Sequence, residues 1–310
     1  MATRSSWRGY TLPVIRGYPD SILQFLEAGI DRHDVLITLL EDLAARSGLH
    51  LGSVSLAGSR HIILAPGHQA GNTGGRRCVC IAHYDRHGDS PGANDNSAAV
   101  FQLAEAARQL GNAKMGGWTI VFTDREEAAG CEGAHGQGAC GLAKALESIL
   151  PDTTDVFIFD ACGRGDTLIL STTIDRLLAD ERVPALDKTR SRLHQLRRRA
   201  LDAAAGIAGQ ERFLAPTPFS DDAGFLAAGV LAQTITLLPS DEAQHLLAGA
   251  GRKRELRTAL IARDEGDHTS AVPHTWKLFH SPQDNLESLT SSSFARMVRF
   301  QVALCGPYRH

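Results

Sequence analysis

The chain has 310 residues, 43% of them apolar, with 32 basic and 35 acidic side chains and a net charge of −3. A globular chain of this length can bury roughly 75% of its unfolded surface, so a large core is available. The near balance of charge argues against a nucleic-acid partner, and no window approaches the ~20 apolar residues of a membrane span. The N-terminal segment has no continuous apolar stretch, so we expect no secretion signal and a cytoplasmic protein.

Helical periodicity dominates the first part of the chain. Within 34–45 the apolar residues that share one helix face are Val35, Leu36, Leu39, Leu40 and Leu43. We therefore predict an N-terminal helical segment at about 19–47. Two predicted strands follow at 51–56 and 61–65, and a glycine-rich turn region occupies 66–77.

A continuous apolar run at 78–83 comes next and is typical of a central strand buried on both faces. Beyond it we predict helices at 97–110, 141–150, 184–205 and 291–304, and strands at 118–122, 155–159, 167–171 and 229–238. Strands that alternate with helices predict an α/β layered sheet. The segment 240–274, with a charged, helix-like middle at 252–263, is predicted to be a variable insertion near the functional site.

Two further features of the sequence are its cysteines and one run of basic residues. Cys78 and Cys80 point to the same side of their predicted strand, and we expect ordinary core thiols. A disulfide between Cys131 and Cys140 stays open, because spacing alone does not decide it. The three arginines at 197–199 are predicted to lie on the solvated face of a helix.

Side chains that bind metals follow three of the predicted strands. They are His83, the adjacent pair Glu126 and Glu127, and Asp160. Ligands bind beyond the carboxyl ends of the strands of an open α/β sheet, so these groups meet at one edge. Each alone has an ordinary explanation, as a hydrogen-bonded histidine or a solvated acidic turn. Their convergence from three strands favours a metal site, which also offsets the cost of burying the Asp160 charge.

Three further residues complete the predicted site. Asp95 lies in a loop at a helix start, where a bridging carboxylate competes with an ordinary N-cap. Asp85 is placed to hold the second ring nitrogen of His83 and to fix its tautomer. His280 is the late histidine of the set, with a structural role as its alternative. The other eleven histidines, including His87 and His135, are interpreted as surface or local structure.

The charges of the predicted ligands favour two metal ions over one. Asp95, Glu127 and Asp160 bring three negative charges, which one divalent ion would leave under-compensated. Without metal, converging carboxylates repel and raise each other's pKa. Nitrogen and oxygen ligands of this kind suit zinc. If Asp95 bridges, five residues give each of two ions three ligands and an open position.

Together these residues resemble the pattern of the M28 family of zinc-dependent exopeptidases, the bacterial leucyl aminopeptidase type. The motifs that carry the resemblance are His-Tyr-Asp at 83–85, Gly-Ala-Asn-Asp-Asn at 92–96, Glu-Glu at 126–127, the strand-ending Asp160, and His-Ser-Pro-Gln-Asp at 280–284. The resemblance covers about residues 78–304. It implies a three-layer α/β/α sandwich around a mixed, mostly parallel eight-stranded sheet, and we expect residues 1–310 to form a single domain.

The resemblance also implies a role for each matching residue. One zinc ion is expected at His83, Asp95 and Asp160, and a second at Asp95, Glu127 and His280. Glu126 takes the position of the general base, and Asp85 the position behind His83. Two departures stand out. One residue is inserted between Glu127 and Gly130, and Asp222 replaces a histidine in the segment 219–225, which puts substrate contacts there in doubt.

The predicted function is hydrolysis of the N-terminal residue from peptides with a free amino terminus, through a metal-activated water and Glu126. A glutaminyl-peptide cyclotransferase is the alternative within the same fold, with a single zinc at Asp95, Glu127 and His280. A non-catalytic relative that serves as a binding module is the alternative outside enzymology, and the complete ligand set weighs against it. A serine hydrolase is disfavoured, because the one G-x-S-x-G match, at 88–92, contains a proline and does not lie at a direct strand-to-helix turn as a nucleophile elbow does. The sequence contains no H-E-x-x-H helix.

Overall fold

The structure is a computed structural model, and it describes residues 17–67, 76–88, 90–127, 130–147, 153–178, 186–207, 209–249 and 272–306. Its centre is one sheet of eight strands. In chain order they are β1 (Leu49–Leu56), β2 (Ser59–Pro66), β3 (Arg77–His83), β4 (Trp118–Thr123), β5 (Thr154–Phe159), β6 (Thr167–Ser171), β7 (Arg212–Ala215) and β8 (Gln233–Leu238). Their order across the sheet is β1-β2-β4-β3-β5-β8-β6-β7.

The helices of the described residues lie on the two faces and at one edge of the sheet. They are α1 (Ser21–Leu26), α2 (Arg32–Ser47), α3 (Ala98–Asn112), α4 (Gly138–Glu147), α5 (Thr173–Leu178), α6 (Leu186–Ala205), α7 (Asp221–Ala227), α8 (Ser240–Gly249), α9 (His274–Lys277) and α10 (Ser293–Cys305). Helix α2 shows how the sequence sets such boundaries. The Asp31 carboxylate accepts from the amides of His33 and Asp34 at its start, and Gly48 takes the left-handed conformation at its end.

The layering follows from the two-residue repeat of the central strands. In β3, Cys78 and Cys80 face the larger core, which helices α2, α3, α6 and α10 cover. Val79 and Ile81 face a second core beneath α4 and α7. Because both faces are covered, the strand reads as a continuous apolar run. The predicted α/β fold with helices on both faces of a mixed eight-stranded sheet is confirmed.

Strand directions place the functional groups. Strand β3 pairs in parallel with both β4 and β5, and β5 pairs in parallel with β8. The carboxyl ends of these four strands therefore meet at one edge of the sheet. Strands β1 and β2 form an antiparallel hairpin that joins the sheet beside β4. Within the described parts of the chain, no helix combines the length and the apolar character needed to cross a bilayer.

The fold corrects one sequence-based interpretation and answers one question that the sequence left open. The prediction of a solvated basic face at 197–199 is wrong for Arg197 and Arg199, which are buried and pair with Asp175 and Asp155. Arg198 between them is exposed. Cys140 is a free buried thiol, so the disulfide left open for it is not formed. The side chain of Cys131 lies outside the described residues.

Most predicted elements are present with shifted ends, and several short ones escaped prediction. The strand predicted at 229–238 begins at Gln233, and the helix predicted at 141–150 begins at Gly138. The short elements β7, α5 and α7 carry too few residues for their periodicity to stand out. The predicted turn region at 66–77 and the helix-like middle at 252–263 fall mostly or wholly outside the described residues.

Candidate metal centre

The parallel strand ends bring the predicted ligands together at one edge of the sheet. His83 is the last residue of β3, Glu127 follows β4 after a short turn, and Asp160 directly follows β5. Asp95 and His280 arrive from two loops. The geometry sorts the five residues into two groups of three, in which the ligand atoms lie within 4.8 Å of one another: His83, Asp95 and Asp160, and Asp95, Glu127 and His280.

Asp95 belongs to both groups, and its two carboxylate oxygens face different partners. Oδ1 lies 3.2 Å from Nε2 of His83, and Oδ2 lies 3.5 Å from Nε2 of His280. On the outer sides, Asp160 Oδ1 lies 3.9 Å from His83 Nε2, and Glu127 Oε2 lies 3.1 Å from His280 Nε2. The two oxygens of Asp95 therefore face the two groups separately.

The loop that carries Asp95 is fixed by a second carboxylate. The amides of Asn94 and Asp95 donate to the two oxygens of Asp284, at 2.8 and 3.0 Å. Helix α3 begins at Ala98, three residues beyond Asp95, so the N-cap alternative for this residue does not hold. Gly92, at φ 63°, allows the chain to turn here, because a Cβ at this position would meet the Asp95 carbonyl oxygen at 2.7 Å.

Asp85 acts on the paired glutamates more directly than on His83. Its Oδ1 accepts from the amide of Glu126 at 3.2 Å, and its Oδ2 from the amide of Glu127 at 2.9 Å. The predicted contact with Nδ1 of His83 is present at 3.5 Å but lacks hydrogen-bond geometry. Asp85 therefore links the His83 strand end to the turn that presents both glutamates.

Glu126 belongs to neither ligand group and is held by an amide. Gln137 Nε2 donates to Glu126 Oε1 at 2.9 Å, and both side chains are buried. Gln137 precedes helix α4 and also contacts the carbonyl oxygen of Ser220 at 3.4 Å. The two adjacent glutamates thus have different surroundings: Glu127 lies among the ligand atoms, and Glu126 accepts a hydrogen bond from Gln137.

The backbone is strained at three points of this site. Arg125 just before the glutamate pair, Ala161 just after Asp160, and His280 itself have positive φ angles of 62°, 52° and 57°. Non-glycine residues pay of order 1–3 kcal/mol for such conformations, and these concentrate where function demands a fixed side-chain direction. The strain here coincides with the segments that deliver Glu126, Asp160 and His280.

In the metal-free site, burial and the neighbouring carboxylates shift the pKa values of several side chains. Burial alone would lower the pKa of His83, but Asp160, Asp85 and Asp95 outweigh it and hold that pKa well above its usual value. Burial raises the pKa of Asp284 to about 7, with further repulsion from Asp95. Such crowded carboxylates are the environment that a cation relieves.

A second buried acid lies beneath the site. Burial raises the pKa of Asp221 to about 7, against the opposing effects of His83 and a hydrogen bond from Thr123. Asp222 beside it is also buried, accepts from the amide of Ser220, and has its pKa raised by burial to about 6. The departure at Asp222 therefore alters the support beneath the site, because its carboxylate is turned inward.

Several residues of the site were not predicted from the sequence. Asp221 and the anchoring role of Asp284 depend on contacts between segments that lie far apart in the chain, although the first Asp of the 221–222 pair offered a signal. Gln137 lies eleven residues from Glu126, and no periodic pattern links the two. His87, interpreted as surface or local structure, stacks on the His280 ring with centroids 4.5 Å apart. The residues inserted after Glu127, at 128–129, lie outside the described residues.

Another acidic and imidazole group, Asp31, His33 and Asp34, also clusters within metal-binding distance. Arg60 already pairs with the two carboxylates there, at 2.9 and 3.5 Å, and all three charged side chains are largely exposed. Compensation by a guanidinium leaves this group a surface ion pair, so the strand-end site is the stronger candidate.

The chain matches one protein family and is similar in fold to several solved structures. Peptidase family M28 matches residues 66–305 of this chain. The fold is similar to that of the LapA aminopeptidase of Legionella pneumophila, with a TM-score of 0.60 and 15% identity over 94% of this chain and 71% of that chain. It is also similar to glutaminyl cyclases. That of an Acidobacteriales bacterium has a TM-score of 0.59 and 16% identity over 98% of each chain. That of Porphyromonas gingivalis has a TM-score of 0.58 and 16% identity over 93% of this chain and 95% of that chain. No curated protein matches at a significant level.

Proposed function

We propose that this chain, which belongs to peptidase family M28, is a two-metal exopeptidase that removes the N-terminal residue from peptides with a free amino terminus. The observation that carries the proposal is the position of Asp95. Its two carboxylate oxygens face two separate groups, each completed by one imidazole and one further carboxylate. Family membership supports peptide hydrolysis, and the site supports the finer assignment.

The residues fit two divalent ions. Nε2 of His83 and Oδ1 of Asp160 are buried atoms without a hydrogen bond to any described residue, a costly state for polar groups unless an ion occupies the space between them. One ion would be held by His83, Asp95 and Asp160, and the other by Asp95, Glu127 and His280. Imidazole and carboxylate donors suit zinc, and three protein ligands leave each ion a position for water or substrate.

When bound, the two ions would polarise the scissile carbonyl and lower the pKa of a water molecule toward ~7. The chain's own residues supply the proton transfers. Glu126 is placed to accept the proton of the attacking water and to pass it to the leaving amine. Gln137 keeps the Glu126 carboxylate oriented through Oε1, and Asp85 fixes the backbone of the pair. These hydrogen bonds would hold Glu126 in position before substrate binds.

Substrate selection follows from the charge at the open side of the site. The His280 side chain is 33% exposed and the Asp160 side chain 16%, whereas that of His83 is 1% exposed, so the site opens on the side of His280 and Asp160. A peptide ammonium group entering there meets carboxylates, which favours a free amino terminus over an internal peptide bond. Action on the first peptide bond is the expected outcome.

The test is the variant Glu126→Gln. The amide keeps the shape of the side chain but accepts no proton, so we expect kcat on aminoacyl anilides to fall at least ~10³-fold, about 4 kcal/mol of barrier, with metal content unchanged. The exposed Glu287→Gln is the matched control and should be fully active. An active Glu126→Gln enzyme would remove Glu126 from the base position.

The same assay decides between hydrolysis and cyclisation. Peptides with N-terminal glutamine are incubated with the wild-type enzyme and analysed by mass spectrometry. Release of free glutamine supports the exopeptidase. Loss of ammonia with the peptide otherwise intact would identify a cyclotransferase and overturn the proposal, as would the absence of any product from a metal-loaded enzyme.

A further inference from the structure

Three cysteine thiols lie together in the core, beside the amino-terminal half of strand β3. The thiols of Cys78, Cys80 and Cys305 approach one another closely: Sγ of Cys78 and Cys80 are 3.7 Å apart, Cys80 and Cys305 3.5 Å, and Cys305 and Cys78 3.8 Å. All three side chains are buried. Two sulfurs come from β3 and one from the last turn of α10, so the group joins the final helix to the sheet.

The spacing of the sulfurs matches that of ligands around one ion. At a metal–sulfur distance of about 2.3 Å, neighbouring sulfurs lie about 3.8 Å apart around a tetrahedral ion and about 4.0 Å apart around a trigonal one. The three observed separations lie at or below the tetrahedral value, so three-coordinate binding requires the sulfurs to move apart by a few tenths of an ångström. A disulfide needs its two sulfurs at about 2.05 Å, and each of the three residues is a free thiol.

A buried guanidinium lies against the backbone beside two of these cysteines. Arg199 is 2% exposed and donates to the carbonyl oxygens of Arg77 and Leu304, the residues that precede Cys78 and Cys305. The same guanidinium pairs with Asp155 at 2.7 Å. Asp155 supplies one negative charge to three guanidiniums, since Arg76 and Arg192 also lie within 2.8 Å of it. Burial opposes deprotonation of all three thiols, and the charge of Arg199 favours it at Cys78 and Cys305, so the bound ion would supply the remaining compensation.

We propose that Cys78, Cys80 and Cys305 bind one soft, thiophilic metal ion, separate from the strand-end centre. Thiolates select Cu⁺ and Zn²⁺. Within the described chain, no fourth His, Cys or carboxylate joins the three sulfurs. Zn²⁺ in structural sites normally takes four ligands, so a site with three thiolates favours Cu⁺. Binding releases the three thiol protons and leaves the sulfur oxidation state unchanged.

The site is structural in kind. It lies three and five residues before His83, roughly 10 Å or more along the strand, and it is closed to substrate. An ion there would tie α10 to β3 and stabilise the fold in proportion to its occupancy. Because the thiols are buried, the ion enters as the chain folds.

The experiment uses X-ray absorption at the metal K edge. Protein is expressed in medium supplemented with copper or with zinc and purified without oxygen. The strand-end centre offers nitrogen and oxygen ligands only, so sulfur scattering at about 2.3 Å reports the thiol site. We expect three sulfur neighbours for each ion at the thiol site, which averages to about one sulfur per zinc where the strand-end centre holds two further zinc ions. A sulfur shell in the copper-grown protein alone identifies Cu⁺, and one in the zinc-grown protein identifies Zn²⁺.

Three variants make the assignment specific. Cys80→Ser and Cys305→Ser should each lose the sulfur shell and about one metal ion per chain, while aminopeptidase activity per folded molecule is retained. Cys140→Ser, also a buried thiol but outside the group, should keep both. The proposal is overturned if wild-type protein shows no sulfur shell under either supply, or if mass spectrometry finds two of the three cysteines joined as a disulfide. These readouts do not depend on turnover, so they separate this proposal from the proposed peptidase function.

Discussion

The two ends of the central strands carry opposite net charge, negative at the carboxyl ends of β3 and β5 and positive at the amino end of β5. At the carboxyl ends, the carboxylates of Asp85, Asp95, Glu126, Glu127 and Asp160 gather around two imidazoles. At the amino end of β5, Asp155 is surrounded by three arginines. At the amino end the buried carboxylate is paired with arginines of the same chain, and these ion pairs stabilise the fold. The carboxyl end has an excess of negative charge that metal ions would compensate, and this difference separates a structural region from a functional one.

The largest expected effect comes from removing the shared charge at the carboxyl end. Asp95→Asn takes a negative charge from both ligand groups at once. We expect kcat/KM to fall about 10³-fold or more, which is about 4 kcal/mol of transition-state stabilisation. Metal analysis should show the loss of at least one ion per chain relative to wild type. Asp241→Asn, an exposed acid on α8, is the control and should change neither quantity.

The matching change at the amino end should affect stability and spare the metal centre. Asp155→Asn leaves Arg199 and its two neighbours without their common carboxylate. Breaking such a buried pair costs about 3–5 kcal/mol, which lowers Tm by roughly 5–15 °C. Asp187→Asn, which breaks an exposed pair with Arg190, should cost under about 1 kcal/mol. An Asp155 variant as stable as the control would show that the ion pairs between Asp155 and the three arginines do not stabilise the fold.

The two ends should also respond oppositely to pH in metal-free protein. Burial raises the pKa of Asp221, Asp222 and Asp284 to about 7, 6 and 7, so the stability tied to their protonated forms is lost as pH rises from about 4 to 7. Burial opposes ionisation of Asp155, but its arginines outweigh that effect and lower its pKa. Its contribution is therefore present above the ordinary Asp value and lost as pH falls below about 4.

Thermal unfolding of chelator-treated protein across pH 3–8 checks this expectation. Tm should be highest in mildly acid solution and fall toward pH 8, and added zinc should raise Tm most at the alkaline end. His61 acts in the other direction, since burial lowers its pKa to about 4, but it is one group against three. If the Tm of metal-free protein rises steadily to pH 8, ionisation of these buried carboxyl groups does not destabilise the fold.

The smallest expected effect concerns the support of Glu126, the proposed general base. Gln137→Leu removes the donor to Glu126 Oε1 and so destabilises the charged carboxylate. We expect the acid limb of the kcat/KM profile to move upward by about one pH unit, equivalent to about 1.4 kcal/mol. KM and metal content should stay near wild type. Gln24→Leu, at an exposed position on α1, is the control. Equal loss at all pH values would indicate a packing defect instead.

The predictability of the molecule follows the range of its interactions. The central strands and long helices are evident in the sequence because period-two and period-3.6 patterns are local. The positions of His83, Glu127 and Asp160 after three strands are enough to predict that they share one edge of the sheet. Gln137 and Asp221 escape prediction because their partners lie on other segments. The arginines at 197–199 mislead for the same reason, since the carboxylates that pair with them are distant in sequence.

Anomalous diffraction at the zinc edge from crystals of the zinc-loaded enzyme tests the central claim most directly, because it locates each ion instead of counting ions. We expect two peaks about 3.5–4 Å apart, on either side of Asp95. One should lie against His83 and Asp160, the other against Glu127 and His280. A single peak at this edge of the sheet, or two peaks that do not share Asp95, would contradict the account.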